Sequence, residues 1–318
     1  MQRVFVGGGA GFIGSNLCKS LLDDGYEVIS VDNLITGEKN NIKELLINPR
    51  FKFIEYDITR NNIKYQISNI KYIFHLASPA SPNKKSRRSY VNHPIETLLA
   101  NSVGTFNLLK LAKKQNAKFL YASSSEIYGD PKISPQNEKY FGNVNPNGIR
   151  SPYDEGKRFG EALTMSYVRK YKVDARIVRI FNTYGPNMQA DDGRVVSNFI
   201  TQAITNKPIT IYGDGTQTRS FCYIDDMVDG LKQAMFIDKT RGRVINLGNP
   251  NERTILELAK LIKTKTSSVS DIIFEELTED DPKSRNPDIT EAKKLLGWTP
   301  KVSIEVGLKK TIQYFKGV

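Results

Sequence analysis

The chain has 318 residues, 39% of them hydrophobic and 10% aromatic, with no low-complexity tract, which excludes a disordered protein and leaves room for one large domain or two modest ones. Its formal charge of +12 comes mostly from scattered Lys and Arg, with one dense cluster, NKKSRRS at 83–89. A site for an anionic ligand is therefore expected, and a nucleic-acid partner is not.

Two distant cysteines, Cys18 and Cys222, lie in no metal-ligand spacing, so neither a disulfide framework nor a metal site is expected. RVFV begins almost at Met1, and no apolar run approaches the roughly 18 residues of a membrane span. A cytoplasmic protein with no membrane partner is the expectation.

RVFV, GGGAGFIG, NLCKSLLDDG and YEVISVDN read as strand, glycine turn, helix and strand. Gly8, Gly11 and Gly14 stand in the spacing G-x-x-G-x-x-G. The first allows a tight turn, the second lets a pyrophosphate approach the backbone, and the third permits close packing of helix on strand. Asp32 ends the second strand, where an acid binds the ribose hydroxyls of an adenosine and repels a 2′-phosphate, which favours NAD over NADP.

FKFIEYDI at 51–58 is the next predicted strand. Asp57 and Ile58 at its end are candidates for the adenine. A strand over 70–78, a helix around Thr97 to Gln115 and a strand over 117–125 follow, the last running into ASSSEIYG. A helix is predicted from Tyr153 to about Tyr171, then a strand over 174–182. Strands alternating with helices imply a parallel, doubly wound, Rossmann-like α/β sheet.

Tyr153 and Lys157 are four residues apart at the start of their helix and so share a face. There the ammonium is expected to lie beside the phenol and lower its pKa, preparing it to take a hydroxyl proton while hydride leaves the same carbon. After Asn182 the chain turns loop-rich (TYGPN, DDGR, YGDGTQTR) before more strands and helices. We expect an NAD-binding domain at 1–181 plus about 224–248. A smaller, interleaved substrate-binding domain is expected at 182–223 and 249–318, over the carboxyl ends of the strands.

GGGAGFIG, ASSSEIYG and the Tyr153/Lys157 pair resemble the extended short-chain dehydrogenase/reductase family, which acts on nucleotide sugars. The likeness runs essentially the full length. HLASPASP, GNVNP, YDEGKR, IFNTYGP, DDGRVVSNFI, YGDGTQTRSF, DDPKSRNPDI and LLGWTP narrow it to the UDP-glucuronate decarboxylases within that family.

The resemblance implies NAD-dependent conversion of UDP-glucuronate to UDP-xylose through a 4-keto sugar. It implies Tyr153 as the base, Lys157 as its electrostatic partner, and Ser124 holding the C4 oxygen where Thr is usual. Ser125, Glu126 and Arg285 would act near C5 and the carboxylate. The implied cofactor set is Gly8, Gly11, Phe12, Ile13, Gly14, Asp32, Asn33, Thr36, Gly37, Asp57, Ile58, Ala77, Ser78, Tyr153, Lys157 and Arg194. Asn182, Val196, Tyr212, Arg219 and Arg285 would meet the UDP-sugar. A homodimer is implied through the helices at 97–115 and from Tyr153.

Three positions depart from the family pattern. Gly7 replaces a usual Thr, Asn286 a common basic residue, and Leu99 a lysine associated with substrate binding. The basic insert Lys84–Arg88 lengthens the loop after SPASP; it can replace that charge or be an ordinary solvated loop. Rival readings differ at Ser125-Glu126. Nucleotide-sugar 4,6-dehydratases carry Asp-Glu there, 4-epimerases small or hydroxyl residues, and a non-catalytic NAD- or nucleic-acid-binding protein would need neither.

Overall fold

β-branched and aromatic runs become the strands, and each alternates its side chains between two cores. In β1 (Arg3–Gly7), Val4 and Val6 join one buried cluster and Phe5 the other. A strand buried on both faces is what a covered parallel sheet demands. The computed structural model describes residues 1–60, 67–276 and 284–317; the first four residues of DDPKSRNPDI lie outside them.

In chain order, α1 (Phe12–Asp23), β2 (Glu27–Asp32), β3 (Phe51–Glu55) and β4 (Ile70–His75) follow β1. Next come α2 (Pro94–Leu99), a π-helical turn (Ala100–Gly104), α3 (Thr105–Gln115), β5 (Lys118–Ser124), α4 (Ser151–Tyr171) and β6 (Ala175–Ile180). The later part contributes β7 (Thr183–Tyr184), α5 (Val195–Ile204), β8 (Ile209–Tyr212), β9 (Thr218–Ser220), β10 (Cys222–Tyr223), α6 (Ile224–Phe236) and β11 (Val244–Leu247). It ends with β12 (Glu252–Thr254), α7 (Ile255–Thr266), β13 (Ile272–Glu275), β14 (Ser284–Arg285), α8 (Thr290–Leu296) and α9 (Ile304–Gly317).

The seven-stranded parallel sheet has the order β11-β6-β5-β4-β1-β2-β3. The predicted doubly wound sheet is thus present. Strand order reverses between β1 and β4, so a crevice opens beyond the carboxyl ends of these strands, where such sheets bind ligands. Leu17 and Leu21 of α1 and Met227 and Leu231 of α6 belong to one core; Leu108 and Ala112 of α3 and Tyr167 of α4 belong to the other.

The helix expected at 97–115 starts earlier, at Pro94, and is broken by the π turn. Asn101, in that turn and fully buried, donates to Ser78 Oγ at 2.8 Å and accepts from the Tyr121 hydroxyl at 2.8 Å. An extra residue in the helix thereby turns an amide toward the sheet, where an unbroken helix would place only packing side chains.

Behind the site, Glu161 of α4 meets Arg179 of β6 at 2.8 and 2.9 Å and accepts the Ser123 hydroxyl at 2.6 Å. Arg179 also donates to the Tyr128 hydroxyl at 2.9 Å and the Glu138 carbonyl at 3.1 Å. One nearly buried, fully satisfied network therefore ties the ends of β5 and β6 to α4 and to the excursion preceding it. Outside the main sheet, β9 lies between β12 and β14, which sets Arg219 and Arg285 side by side in register.

Candidate active site

The glycine turn fits a dinucleotide's diphosphate. Gly8 has φ +82°, and a Cβ on Gly14 would meet the Gly8 carbonyl and lie 2.8 Å from Gly9 Cα, so the helix start sits directly against the strand end. A Cβ on Gly11 would meet nothing closer than the Gly8 carbonyl oxygen, 3.3 Å away, which leaves that backbone approachable from the cleft. Backbone N–H groups at a helix start, facing open space, form an anion seat.

Asp32 is buried and accepts from the Ala10 and Leu34 amides at 3.0 and 2.9 Å. Burial raises its pKa, and those two amides oppose the rise. Asp32, Asn33, Asp57, Ile58 and Ala77 line one pocket, while Gly8, Gly11, Thr36 and Ser78 line both it and the adjoining cleft. Asp57 is oriented by the Thr59 amide and hydroxyl at 2.8 and 2.7 Å. Gly37 packs on the Asp32 carboxylate, where a Cβ would come within 2.8 Å. Leu99 and Glu96 line this pocket and not the cleft that holds Tyr153.

The other end of the cleft gathers Ser124, Ser125 and Glu126 from the end of β5 with Tyr153 and Lys157 from the first turns of α4. Lys157 Nζ donates to the Ala122 carbonyl at 2.9 Å and lies 5.5 Å from the Tyr153 ring centre. Burial lowers the ammonium to about 7, opposed in part by Glu161. The expected lowering of the phenol is not met by the protein's own groups. Burial pushes Tyr153 up to about 12; its hydrogen bond with Ser124 and the charge of Arg194 pull it down, while Glu126 and Asp154 push it further up. The physical reason is distance and burial: Lys157 is engaged with a carbonyl, and the phenol is almost wholly desolvated.

Glu126 is not a solvated loop residue. Its Oε2 accepts from Arg150 Nη2 at 2.5 Å and Arg285 Nη2 at 2.6 Å, and its Oε1 lies 2.5 Å from Arg285 Nη1. Arg285 Nη1 also donates to Ser125 Oγ at 3.0 Å. Burial alone would raise the carboxyl, but Arg150 and Arg285 overcome it and hold it at about 2. Asp154 is affected in the opposite sense: burial first and Glu126 second raise its pKa, and its Oδ1 has no hydrogen-bond partner among the described residues.

The structure places Ser124, Ser125, Glu126, Tyr153, Lys157 and Arg285 together, with four further residues that sequence reasoning did not single out. Arg150 stands one helical turn before Tyr153, but its pairing with Glu126, 24 residues earlier, had no local signal. Asp154 lay inside the quoted YDEGKR without being singled out. Tyr90, whose ring stacks on Tyr153 at 5.1 Å and 14°, and Asn101 depend on long-range packing and had no local signal.

Of the other residues assigned to substrate, Asn182 lines the cleft along with Arg194. Val196 is buried in a hydrophobic core, Tyr212 is 39% exposed on β8, and Arg219 is buried beside Arg285. Asn286 donates to Glu252 at 2.9 Å. The basic insert is ordered through its polar residues, Asn83 and Ser86 donating to Asp191 at 3.0 and 3.1 Å, while Lys84, Lys85 and Arg87 are exposed.

A parallel sheet with a glycine turn, an acid at the second strand end and a Tyr/Lys pair defines a nicotinamide-dependent enzyme. Residues 4–248 match the NAD dependent epimerase/dehydratase family, and the chain belongs to it. It is 48% identical over 314 residues to "UDP-glucuronic acid decarboxylase 1" of Danio rerio, covering 99% of this chain and 72% of that protein. It is 50% identical over 314 residues to "UDP-glucuronic acid decarboxylase 2" of Arabidopsis thaliana, covering 99% of this chain and 68% of that one. Among solved structures, the UDP-glucuronic acid 4-epimerase of Bacillus cereus, in complex with UDP-glucuronic acid and NAD, superposes with a TM-score of 0.88 at 31% identity, covering 99% of both chains. No helix among the described residues is long and apolar enough to cross a membrane.

The arginine clamp predicts a pH dependence of stability. The folded-state carboxyl of Glu126 lies near 2 against an ordinary 4.5, so its contribution is fully present above about 4.5 and is lost as pH falls toward about 2. Thermal unfolding of the wild type and Glu126→Gln should show a wild-type advantage at neutral pH that shrinks across this window. A constant advantage would contradict the clamp.

Proposed function

We propose that this protein decarboxylates UDP-glucuronate to UDP-xylose, using NAD that stays bound and is regenerated in each turnover. The observation that carries the reading is Glu126, held ionised between Arg150 and Arg285 within the same cleft end as Tyr153. A dehydratase needs an acid where Ser125 stands, and a serine cannot readily protonate a leaving hydroxyl. An epimerase needs an open space for its keto intermediate to turn, which a clamped glutamate opposes. The similarity to curated decarboxylases supports the same choice.

In this reading Tyr153 takes the proton of the sugar's C4 hydroxyl, and Ser124 holds the oxygen from which it leaves. Bound NAD would supply the acceptor and later donor of the C4 hydride, and a positive charge to a cleft whose phenol the protein alone keeps protonated. Oxidation at C4 makes the C6 carboxylate β to a ketone. The C5–C6 bond then breaks with its electron pair passing into the carbonyl, and Tyr153 and Ser124 stabilise the resulting enolate oxygen. Arg285 and Arg150 orient the departing carboxylate, and Ser125 and Glu126 hold the water that returns a proton to C5.

Residues 182–223 and 249–318 supply the nucleotide-sugar part of the site, with Asn182, Tyr212, Arg219 and Arg285 as its contacts, while Val196 belongs to the core. Arg219 beside Arg285 suits a diphosphate. The protein is read as a cytoplasmic homodimer. Ile95, Leu98, Leu99, Val103, Phe106 and Phe159, exposed on α2–α3 and α4, form the apolar face that a second copy covers.

Purified protein given UDP-glucuronate without added NAD should release carbon dioxide, and an unchanged sugar or a six-carbon isomer would sink the proposal. Tyr153→Phe should lower kcat by about 10³ while weakening NAD binding only by the roughly fivefold of one lost hydrogen bond; equal loss of both would make Tyr153 structural. Light scattering should find a dimer, and Phe106→Asp should yield a monomer. A wild-type monomer would overturn the assembly.

A further inference from the structure

The basic insert builds a strap across the cofactor cleft. On one side, Asn83 Nδ2 donates to the Asp191 carbonyl at 3.0 Å, Ser86 Oγ to Asp191 Oδ2 at 3.1 Å, and Ser81 to the Asp192 carbonyl. Gly193 has φ +83° and accepts Asn83 where a Cβ would collide with it. Within the strap, Asn92 donates to the carbonyls of Lys84 and Ser86 at 2.9 and 2.7 Å, and the Tyr90 amide returns to Ser81 at 3.0 Å. These bonds give the insert one defined shape, which an exposed run of like charges would not have.

On the other side the strap reaches the glycine turn. Arg88 Nη1 pairs with Glu38 Oε1 at 2.5 Å and lies 3.9 Å from Asp191 Oδ1, with about one third of each side chain of the close pair exposed. The Glu38 amide in turn donates to Ala10, inside the turn, at 3.0 Å. Arg88 lines the cleft with Gly11, Phe12 and Thr36. Among the described residues its Nε and Nη2 have no protein partner. Arg194, braced by Asp192 at 3.4 Å, lines the same cleft. Two guanidinium groups, each steadied by a carboxylate, thus border the opening beside a helix start that favours a diphosphate.

We propose that Arg88 is a cofactor-retaining residue: held by Glu38 at the edge of the glycine turn, its guanidinium fork binds the dinucleotide's diphosphate and closes the strap over it. The inference rests on the NAD reading of the cleft and not on which sugar is turned over. It gives the insert a function that suits a catalyst regenerating its cofactor in place, where slow release of NAD is an advantage. The same chemistry could meet the diphosphate of the nucleotide sugar. The pairing with Glu38, whose amide meets Ala10 of the glycine turn, selects the dinucleotide, and the experiment separates the two.

Arg88→Met and the wild type are compared for NAD retained through desalting and for the Kd of NAD and of UDP by titration calorimetry, with thermal unfolding as the check on folding. The variant should lose retained NAD and bind it about tenfold or more weakly, with the Kd of UDP unchanged. Arg88→Lys, which keeps the charge and loses the fork, should fall between the two and carries the test if Arg88→Met folds poorly. Unchanged NAD affinity, weakening of UDP alone, or equal weakening of both would overturn the inference. A protein that fails to release carbon dioxide yet loses NAD on this substitution would overturn the decarboxylase reading and leave Arg88 in place.

Discussion

One carboxylate between two guanidinium groups organises the reacting end of the cleft. Glu126 comes from the turn after β5, Arg150 from the start of α4, and Arg285 from β14 of the later part of the chain. The three charges therefore join the central sheet, its covering helix and the later part of the chain at a single point. Desolvating an ion of this kind is costly, and the cost is offset only by several well-formed bonds. Here both carboxylate oxygens are engaged, Arg285 also reaches Ser125, and two guanidinium groups face the one carboxylate they clamp. An excess cation beside a catalytic tyrosine suits a substrate that brings its own carboxylate.

Tyr153 and Lys157 are positioned by α4 against the end of β5. Lys157 is fixed on the Ala122 carbonyl, and Asn101 in the π turn links Ser78 in the cofactor cleft to Tyr121 beneath Lys157. Burial explains why the base is incomplete in the protein alone. The phenol is held protonated by desolvation, and Tyr90, on the same strap as Arg88, stacks on Tyr153.

What the sequence made legible was local. The glycine spacing, the strand-end acid, the Tyr/Lys pair and Ser125-Glu126 are patterns within one turn or one strand end, and their physical reasons operate at that range. The α/β alternation made the sheet legible for the same reason. What remained hidden depends on contacts between distant segments: the second arginine on Glu126, the tyrosine stacked on the base, and the ordering of the basic insert by Asp191 and Glu38. The π turn was hidden because nothing in ETLLANSVGTF departs from an ordinary helical pattern. The phenol's pKa was misjudged because helix spacing gives proximity on a face, and burial, which decides the sign here, is a tertiary property.

The central claim is that this cluster directs a 4-keto sugar to lose its carboxyl group and take a proton at C5. Turnover of UDP-glucuronate in deuterated water, followed by proton NMR, tests it directly. The account predicts a UDP-pentose carrying one solvent deuteron at C5, with the hydrogen at C4 retained from the substrate. A six-carbon product, or a pentose without deuterium at C5, would contradict it.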